Sequence, residues 1–383
     1  MNKFFLLIKK DNLYQSKISI LIGLIFGFFF LTFVTHNSKK DIKFEELALG
    51  DDNKKSMGIE DGERVHCGDL SDLDSCIDSY KNTNDKMPVI LWLGNSQLHA
   101  INQPQPDDEV SPLKLHKKLK KFGIYTLTFS QPNANLQEHF LLFAHLIKKF
   151  PIETLILPLV FDDMREDVLR SNIISALEDQ QTLESIKKTF TGKNLIFLND
   201  AKDIVGNESK IEKNTKQNNW ENFLNKELGE IWSLWKDREV LRGKFFGLLY
   251  QLRNSIFGIN ATSTRRMIKG PYIKNQKAYE DILNLAIKNK IKVLVYIPPL
   301  RNDVKIPYNI NEYSNFKIET KNIADKYYVN FVSLEKIIPS KLWGFKGSTN
   351  LKKKQELDFM HFKGEGHSLL AEALYVEILK IIE

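Results

Sequence analysis

The 383-residue sequence lacks several features that mark common functional classes. Its two cysteines, Cys67 and Cys76, are too few for a usual zinc site, because such sites use further ligands. There is no glycine-rich phosphate loop, no basic block with interleaved aromatic residues, no internal repeat and no low-complexity tract. The net charge of +7 comes from lysines scattered along the chain, which suits an anionic envelope or lipid headgroups. We therefore expect no metal site and no nucleic-acid partner.

Long hydrophobic runs are also scarce, and the one present lies near the start, ISILIGLIFGFFFLTFV at residues 18–34. It is uncharged and close to the short end of the roughly 17–25 residues that cross a bilayer. A buried core helix and a cleavable signal peptide are the alternatives. The run is longer than a usual signal-peptide core, and no A-x-A-like cleavage site follows it. We expect a transmembrane anchor here.

The lysines before this run predict the orientation of the anchor. The lysines before the run outnumber those that come shortly after it. Residues 1–17 should therefore be cytoplasmic, and the chain after the anchor periplasmic or extracellular. In an exported domain the nearby Cys67 and Cys76 are candidates for a disulfide, with free thiols as the alternative. The polar residues 35–86 are expected to form a stalk and a lead-in to the main domain.

From residue 87 the pattern changes to alternating strands and helices. Continuous apolar runs predict buried strands, and helical spacing predicts helices between them. This alternation predicts a parallel sheet with helices on both faces. The predicted strands are 89–93, 124–129, 154–161, 194–198, 293–297 and 328–334, and the predicted helices are 113–122, 136–150, 276–290, 313–326 and 365 onward.

The regular alternation lapses after residue 163, where residues 164–275 are mainly helical in pattern. The sequence thus predicts one doubly wound α/β domain at 87–383 that is interrupted by a helical insertion. An insertion after the third strand can cover the carboxyl edge of the sheet, where ligands bind in open α/β folds.

The first chemical motif is LWLGNSQLHAIN at residues 91–102. An apolar strand runs directly into Gly94, Asn95 and Ser96, which places Ser96 at the carboxyl edge of the sheet near a helix start. There, backbone N–H groups and the helix dipole can stabilise an oxyanion. The alternative is a simple strand-to-helix turn, since both Asn and Ser cap helices well.

The second motif is LDFMHFKGEGHSLLAEAL at residues 357–374. Asp358 and His361 stand three residues apart, and we expect both in a loop just before the last helix. The carboxylate can orient the imidazole, which then serves as general base toward a serine and as acid toward the leaving group. A polar start to the final helix, with His361 structural, is the alternative.

Together, the strand–G–N–S turn and the D-x-x-H before the last helix resemble the SGNH, or GDSL-like, hydrolases over most of the chain after residue 86. The resemblance implies a flavodoxin-like three-layer sandwich with Ser96 as nucleophile, His361 as base and Asp358 as orienting acid. With its anchor, the chain is similar to exported SGNH proteins of cell-envelope acylation, including D-alanine transfer and the O-acetylation of alginate and peptidoglycan. The resemblance also implies a membrane-bound O-acyltransferase as partner. The chemistry that we expect needs no cofactor.

The sequence departs from this family where the oxyanion hole is expected. The family has a glycine after the second strand, whereas residues 130–139 contain none, which leaves Asn133 or Asn135 as donors. After the third strand, Asp162 and Asp163 replace the usual asparagine, and an ionised carboxylate cannot donate a hydrogen bond. Either Arg165 supplies the donor, or the oxyanion hole is incomplete.

Two further residues are candidates for the pocket. His99 follows Ser96 by three residues, and Arg301 follows the strand at 293–297, so either can reach the same edge of the sheet. For Arg301, the alternative is a proline-rich loop exit with no contact to a substrate.

The leading hypothesis is an O-acyl esterase or acyltransferase that acts on a cell-envelope glycan or glycolipid through an acyl-enzyme. A non-catalytic exported subunit that binds glycan or an acyltransferase, and a membrane-anchored lipase, are the alternatives.

Overall fold

The structure is a computed structural model that describes most of the chain. The described residues are 22–23, 26–27, 53–56, 58–60, 62–84, 87–199, 238–351 and 354–382. The predicted anchor at 18–34 therefore lies outside them, apart from two short helical pieces at 22–23 and 26–27. Among these described ranges, no helix is long and apolar enough to cross a membrane.

The chain divides into two compact units. One comprises Met1–Leu47 and Lys210–Gln251, and its described part is helical. The other comprises Ala48–Ser209 and Leu252–Glu383, and it contains the sheet and the candidate site. Where it is described, the lead-in predicted at 35–86 belongs to this second unit and contains short strands and a helix.

The strands of the described residues are β1 (Asn53–Lys55), β2 (Ile59–Glu60), β3 (Glu63–Arg64), β4 (His66–Cys67), β5 (Val89–Gly94), β6 (Ala100–Asn102), β7 (Tyr125–Ser130), β8 (Ile152–Pro158), β9 (Lys292–Ile297), β10 (Asn330–Ser333), β11 (Trp343–Lys346) and β12 (Glu356–Phe362). The α-helices are α1 (Leu73–Asn84), α2 (Ser111–Lys120), α3 (Leu136–Leu146), α4 (Ser171–Ile174), α5 (Gln180–Ile186), α6 (Arg238–Ile256), α7 (Lys269–Lys288), α8 (Ile310–Lys326) and α9 (Gly364–Ile382). Residues 190–199 are also helical.

Six strands form the central sheet in the order β10-β9-β8-β5-β7-β4, and every pair in it is parallel. The order β7-β5-β8-β9-β10 is the 2-1-3-4-5 order of flavodoxin-like folds. The prediction of a parallel α/β sheet is confirmed. The edge strand β4 was not predicted, because two residues carry no readable pattern.

Helices cover both faces of this sheet. Because successive side chains of a strand point to opposite faces, each buried strand contributes to two cores. Leu91 and Leu93 of β5 face the core built with α1, α3, α7 and α8. Ile90 and Trp92 face the smaller core built with α2 and α9. All these strand residues are buried, which explains why the run VILWL is apolar throughout rather than alternating.

One predicted strand is wrong. Residues 194–198 lie in the helical segment 190–199. Leu195 is buried, whereas Phe197 and Leu198 are exposed, so the run packs by one side only. A short apolar run does not distinguish a strand from a helix by periodicity.

Two local features connect the lead-in to the sheet. Cys67 of β4 and Cys76 of α1 form a disulfide with a Cα–Cα distance of 6.6 Å. Strand β1 pairs antiparallel with β6, so that Asn53 lies opposite Asn102. The lead-in therefore reaches the region just after β5.

A two-stranded antiparallel ribbon, β11 and β12, replaces the predicted loop before the last helix. Trp343 pairs with Phe362 and Phe345 pairs with Leu357, so Gly344 alone faces the four residues 358–361. These four residues form a bulge, and bulges re-aim side chains. Asp358 and His361 lie at its two ends.

Candidate active site

Ser96 lies at the point where the strand order reverses. It follows β5, whose neighbours are β7 on one side and β8 on the other, and such switch points are where open α/β sheets bind ligands. Gly94 permits the tight turn, because a Cβ there would lie 2.3 Å from Leu98 Cδ1. Within residues 91–102, Ser96 alone is not buried. The fold thus presents its hydroxyl at the carboxyl edge of the sheet.

Asn95 holds the turn from both sides. Its Oδ1 accepts a hydrogen bond from the N–H of Gln97 at 3.0 Å, and its Nδ2 donates to Asp163 Oδ2 at 2.8 Å. Ser96 is the first residue of a short 3-10 helix (Ser96–Leu98), so its N–H has no partner within that helix. This N–H is available to a ligand.

Ser96, His361 and Asp358 form a continuous hydrogen-bonded chain. The distance from Ser96 Oγ to His361 Nε2 is 2.9 Å, and that from His361 Nδ1 to Asp358 Oδ2 is also 2.9 Å. A proton on Nδ1, bound by the carboxylate, leaves the Nε2 lone pair free to accept the proton of the serine. The structure thus brings together Ser96, His361 and Asp358, the three residues that the sequence predicted to form a triad.

The surroundings of Asp358 keep its carboxyl ionised. Burial alone would raise its pKa, but the charge and hydrogen bond of His361 and the N–H groups of Met360 and His361 lower it by more, so the net pKa lies well below its ordinary value. Those N–H groups reach Oδ1 at 2.9 and 3.0 Å. A carboxylate held in this way orients the imidazole and stabilises its protonated form.

Two asparagines, on β1 and β6, contact the same carboxylate. Asn53 Nδ2 donates to Asp358 Oδ2 at 3.0 Å, and Asn102 Nδ2 lies 3.4 Å from it. Asn102 also donates to the carbonyl of Phe345 at 2.7 Å. Gly344 makes room for it, since a Cβ there would lie 1.6 Å from Asn102 Oδ1.

A cavity of about 150 Å³ opens beside Ser96. It is lined by Asn95, Ser96, Pro132, Asn133, Val160, Asp162, Asp163, Arg265, Lys346, Asp358, Phe359, Met360 and His361. A larger cleft of about 330 Å³ is lined by residues within 254–262, 348–350 and 354–357, and none of its lining residues is a histidine. We therefore assign the candidate site to the smaller cavity.

The predicted oxyanion residues separate into two groups. Asn133 lines the cavity, and its φ of 53° is the left-handed conformation that glycine adopts most readily. Asn135 is instead the N-cap of α3, where it accepts from Gln137 and Glu138 N–H groups and donates to the carbonyl of Val168. Both polar atoms of the Asn135 side chain are thus engaged at the start of α3. Our expectation of Asn135 as a possible oxyanion donor is therefore corrected.

Arg165 also lies elsewhere than expected. Its Nη1 binds Asp162 Oδ1 at 2.9 Å and its Nε donates to the carbonyl of Arg266 at 2.8 Å. The cavity is not lined by Arg165. It therefore does not replace the oxyanion donor.

The other two candidates have structural partners. His99 is buried, stacks on His66, and its Nδ1 lies 2.7 Å from Ser130 Oγ. Burial, with the nearby His66, holds the pKa of His99 well below its ordinary value. Arg301 is buried and binds Asp303 and the carbonyl of Gly344, so it stabilises β11 rather than facing the cavity.

Sequence reasoning missed several residues of the site. Arg265 lines the cavity and pairs with Asp162, which also accepts a hydrogen bond from Tyr308 at 2.9 Å. Lys346 of β11 also lines the cavity. Arg265 lies within the predicted insertion, so a part of that segment does reach the carboxyl edge. No motif or periodicity marks either residue.

No protein-family model and no curated protein sequence matches the chain. Among solved structures, a proposed acylhydrolase from Bacteroides fragilis NCTC 9343 is 10% identical, with a TM-score of 0.33, over 79% of this chain and 94% of that one. A GDSL-like lipase from Bacteroides thetaiotaomicron VPI-5482 is 10% identical, with a TM-score of 0.35, over 79% and 97%.

Proposed function

We propose that the protein is a serine esterase or acyltransferase of the SGNH type that acts on a cell-envelope glycan or glycolipid. The observation that carries the proposal is the hydrogen-bonded chain from Ser96 through His361 to Asp358, with 2.9 Å at each link. A hydroxyl, an imidazole and a buried carboxylate in this order activate a nucleophile at neutral pH.

The first half-reaction forms an acyl-enzyme. Ser96 Oγ attacks the carbonyl carbon of an ester, its proton passes to His361 Nε2, and the carbonyl electron pair moves onto oxygen as an oxyanion. The bond to the leaving oxygen then breaks, and His361 returns the proton to that oxygen. Asp358 stays ionised throughout and stabilises the imidazolium.

The second half-reaction returns the enzyme. Water or a sugar hydroxyl gives its proton to His361 and attacks the acyl carbon, after which the bond to Ser96 Oγ breaks and Ser96 recovers a proton. Water yields hydrolysis, and a sugar hydroxyl yields transfer. The same residues serve both outcomes.

The size of the cavity favours a short acyl group. Its volume of about 150 Å³ is smaller than the roughly 300–1,000 Å³ of sites for drug-sized ligands. An acetyl-sized group suits such a volume better than a fatty acyl chain. The lipase alternative gains no support from it.

The cell-envelope setting is supported by the sequence and by the disulfide. The uncharged run at 18–34 has the composition of a membrane anchor. Disulfides such as Cys67–Cys76 persist outside the cytoplasm. We propose an N-terminus in the cytoplasm, the folded domain on the outer side, and a membrane-bound O-acyltransferase as the source of the acyl group.

Steady-state turnover tests the proposal. Full-length protein in detergent is assayed with p-nitrophenyl acetate and p-nitrophenyl palmitate, beside Ser96→Ala and the matched control Ser340→Ala, whose serine is exposed. We expect acetate release that Ser340→Ala retains and Ser96→Ala loses. Equal hydrolysis by wild type and Ser96→Ala, or none by either together with unchanged cellular function of Ser96→Ala, contradicts a serine enzyme and favours a binding subunit.

A further inference from the structure

Asp163 lines the same cavity as the candidate nucleophile Ser96. It starts a short 3-10 helix (Asp163–Arg165) after β8, the strand next to β5, and it lines the cavity together with Ser96. Asn95 Nδ2, on the residue before the nucleophile, donates to Asp163 Oδ2 at 2.8 Å. The carboxyl group is therefore tied to the turn that carries Ser96.

The surroundings of Asp163 are unsuited to a negative charge. The residue is 6% exposed, and the described part of the chain forms no salt bridge with it. The nearby arginines are engaged elsewhere: Arg165 and Arg265 bind Asp162, and Arg170 binds Glu138. A buried carboxyl group without a cation partner retains its proton.

The electrostatics of the group agree with this geometry. Burial, the largest effect, together with the like charges of Asp162 and Glu166, raises the pKa of Asp163 well above its ordinary value. The hydrogen bond from Asn95 and the charge of Arg170 lower it by less. From α7, Asn275 donates to the carbonyls of residues 163, 164 and 166, and His361 and Arg265 line the same cavity as Asp163.

We propose that Asp163 works as a neutral carboxylic acid whose hydroxyl donates a hydrogen bond to the oxyanion that forms when Ser96 attacks. This inference rests on the function proposed above. The acid keeps its proton throughout the step, while the proton of Ser96 passes to His361 and the carbonyl electron pair moves onto the oxyanion. Asp163 then acts beside the N–H of Ser96, and the oxyanion hole has a second donor without an asparagine.

The proposal makes the site sensitive to alkaline pH. A neutral acid donates to the oxyanion, whereas its carboxylate would repel it, so turnover should fall as rising pH removes the proton of Asp163. An amide at position 163 donates in the same place and does not ionise in this range.

The test compares pH profiles of kcat for p-nitrophenyl acetate in full-length wild type, Asp163→Asn and Asp163→Ala. We expect Asp163→Asn to stay within a few-fold of wild type at neutral pH and to lose the alkaline decline. Asp163→Ala should lose about 10²–10³ in kcat, the usual effect of removing one oxyanion donor. An alkaline decline retained in Asp163→Asn, or an Asp163→Asn variant as inactive as Asp163→Ala, overturns the proposal.

A second readout separates this proposal from the function it rests on. Difference infrared spectroscopy of wild type against Asp163→Asn reports whether the carboxyl is protonated, whether or not the protein turns over an ester. We expect the carbonyl stretch of a protonated carboxyl at neutral pH. A carboxylate band there overturns the acid form, while a protonated band without Ser96-dependent turnover places the failure in the proposed function.

Discussion

The side-chain amide of Gln97 donates a hydrogen bond to the carbonyl oxygen of Met360 at 2.8 Å. The same nitrogen donates to the carbonyl of Pro299 at 2.9 Å. One buried amide thus joins the turn of Ser96 to the bulge that carries His361, two segments far apart in sequence.

Because Gln97 fixes the distance between nucleophile and base, Gln97→Ala should lower kcat. A misplacement of about 1 Å at a reacting centre costs up to about 10²-fold in rate, and we expect a loss of this order with little change in KM. Kinetics with p-nitrophenyl acetate measure it. The exposed Gln105→Ala is the control, and equal rates in the two variants would show that Gln97 does not position the site.

Gly344 tests the support beneath Asp358. A Cβ at this position would lie 1.6 Å from Asn102 Oδ1, whereas one at Gly347 would meet nothing within 4 Å. We expect Gly344→Ala to destabilise the protein by about 1–3 kcal/mol, the usual cost of overpacking. It should also reduce turnover, because Asn102 donates to Asn53 Oδ1 and Asn53 in turn donates to the carboxylate of Asp358. Gly347→Ala should do neither. Urea unfolding and kinetics measure both, and identical behaviour of the two variants would refute the packing account.

The ionised state of Asp358 predicts a difference in acid stability. The unfolded carboxyl has a pKa of about 3.9, and the folded pKa is lower. The stabilisation is therefore present above about pH 4 and is lost as the pH falls through this region toward the folded pKa.

The free energy of unfolding should then fall less steeply with acid in Asp358→Asn than in wild type. Urea titrations between about pH 6 and pH 3 measure the two slopes. Asp74→Asn, at an exposed position, is the control and should follow wild type. A wild-type slope equal to that of Asp358→Asn contradicts a depressed pKa.

The sequence predicted the sheet and the chain of Ser96, His361 and Asp358 because their signals are local. Apolar runs mark the strands, and strand ends meet at one edge of a parallel sheet, so Ser96 could be placed from residues 91–102 alone. The bulge in β12 could not be predicted, since it depends on pairing with Gly344 in another strand.

The remaining parts of the site depend on long-range contacts. Asn53, Asn102 and Gln97 act through partners distant in sequence, and an isolated amide residue gives no sign of its partner. Asp163 was seen as a departure from the expected asparagine, but its protonation follows from burial, which only the folded chain reveals. Arg165 and Arg301 were candidates for the cavity because of their positions after strands, and nearby acids bind them instead.

The most direct test of the central claim is to trap the acyl-enzyme. Full-length protein is mixed with p-nitrophenyl acetate, quenched in acid within seconds, digested and analysed by mass spectrometry, with His361→Ala in parallel. We predict an acetyl group on the peptide that contains Ser96, strongly reduced in His361→Ala. Turnover without acetylated Ser96, or equal acetylation in His361→Ala, would contradict nucleophilic catalysis by Ser96 with His361 as its base.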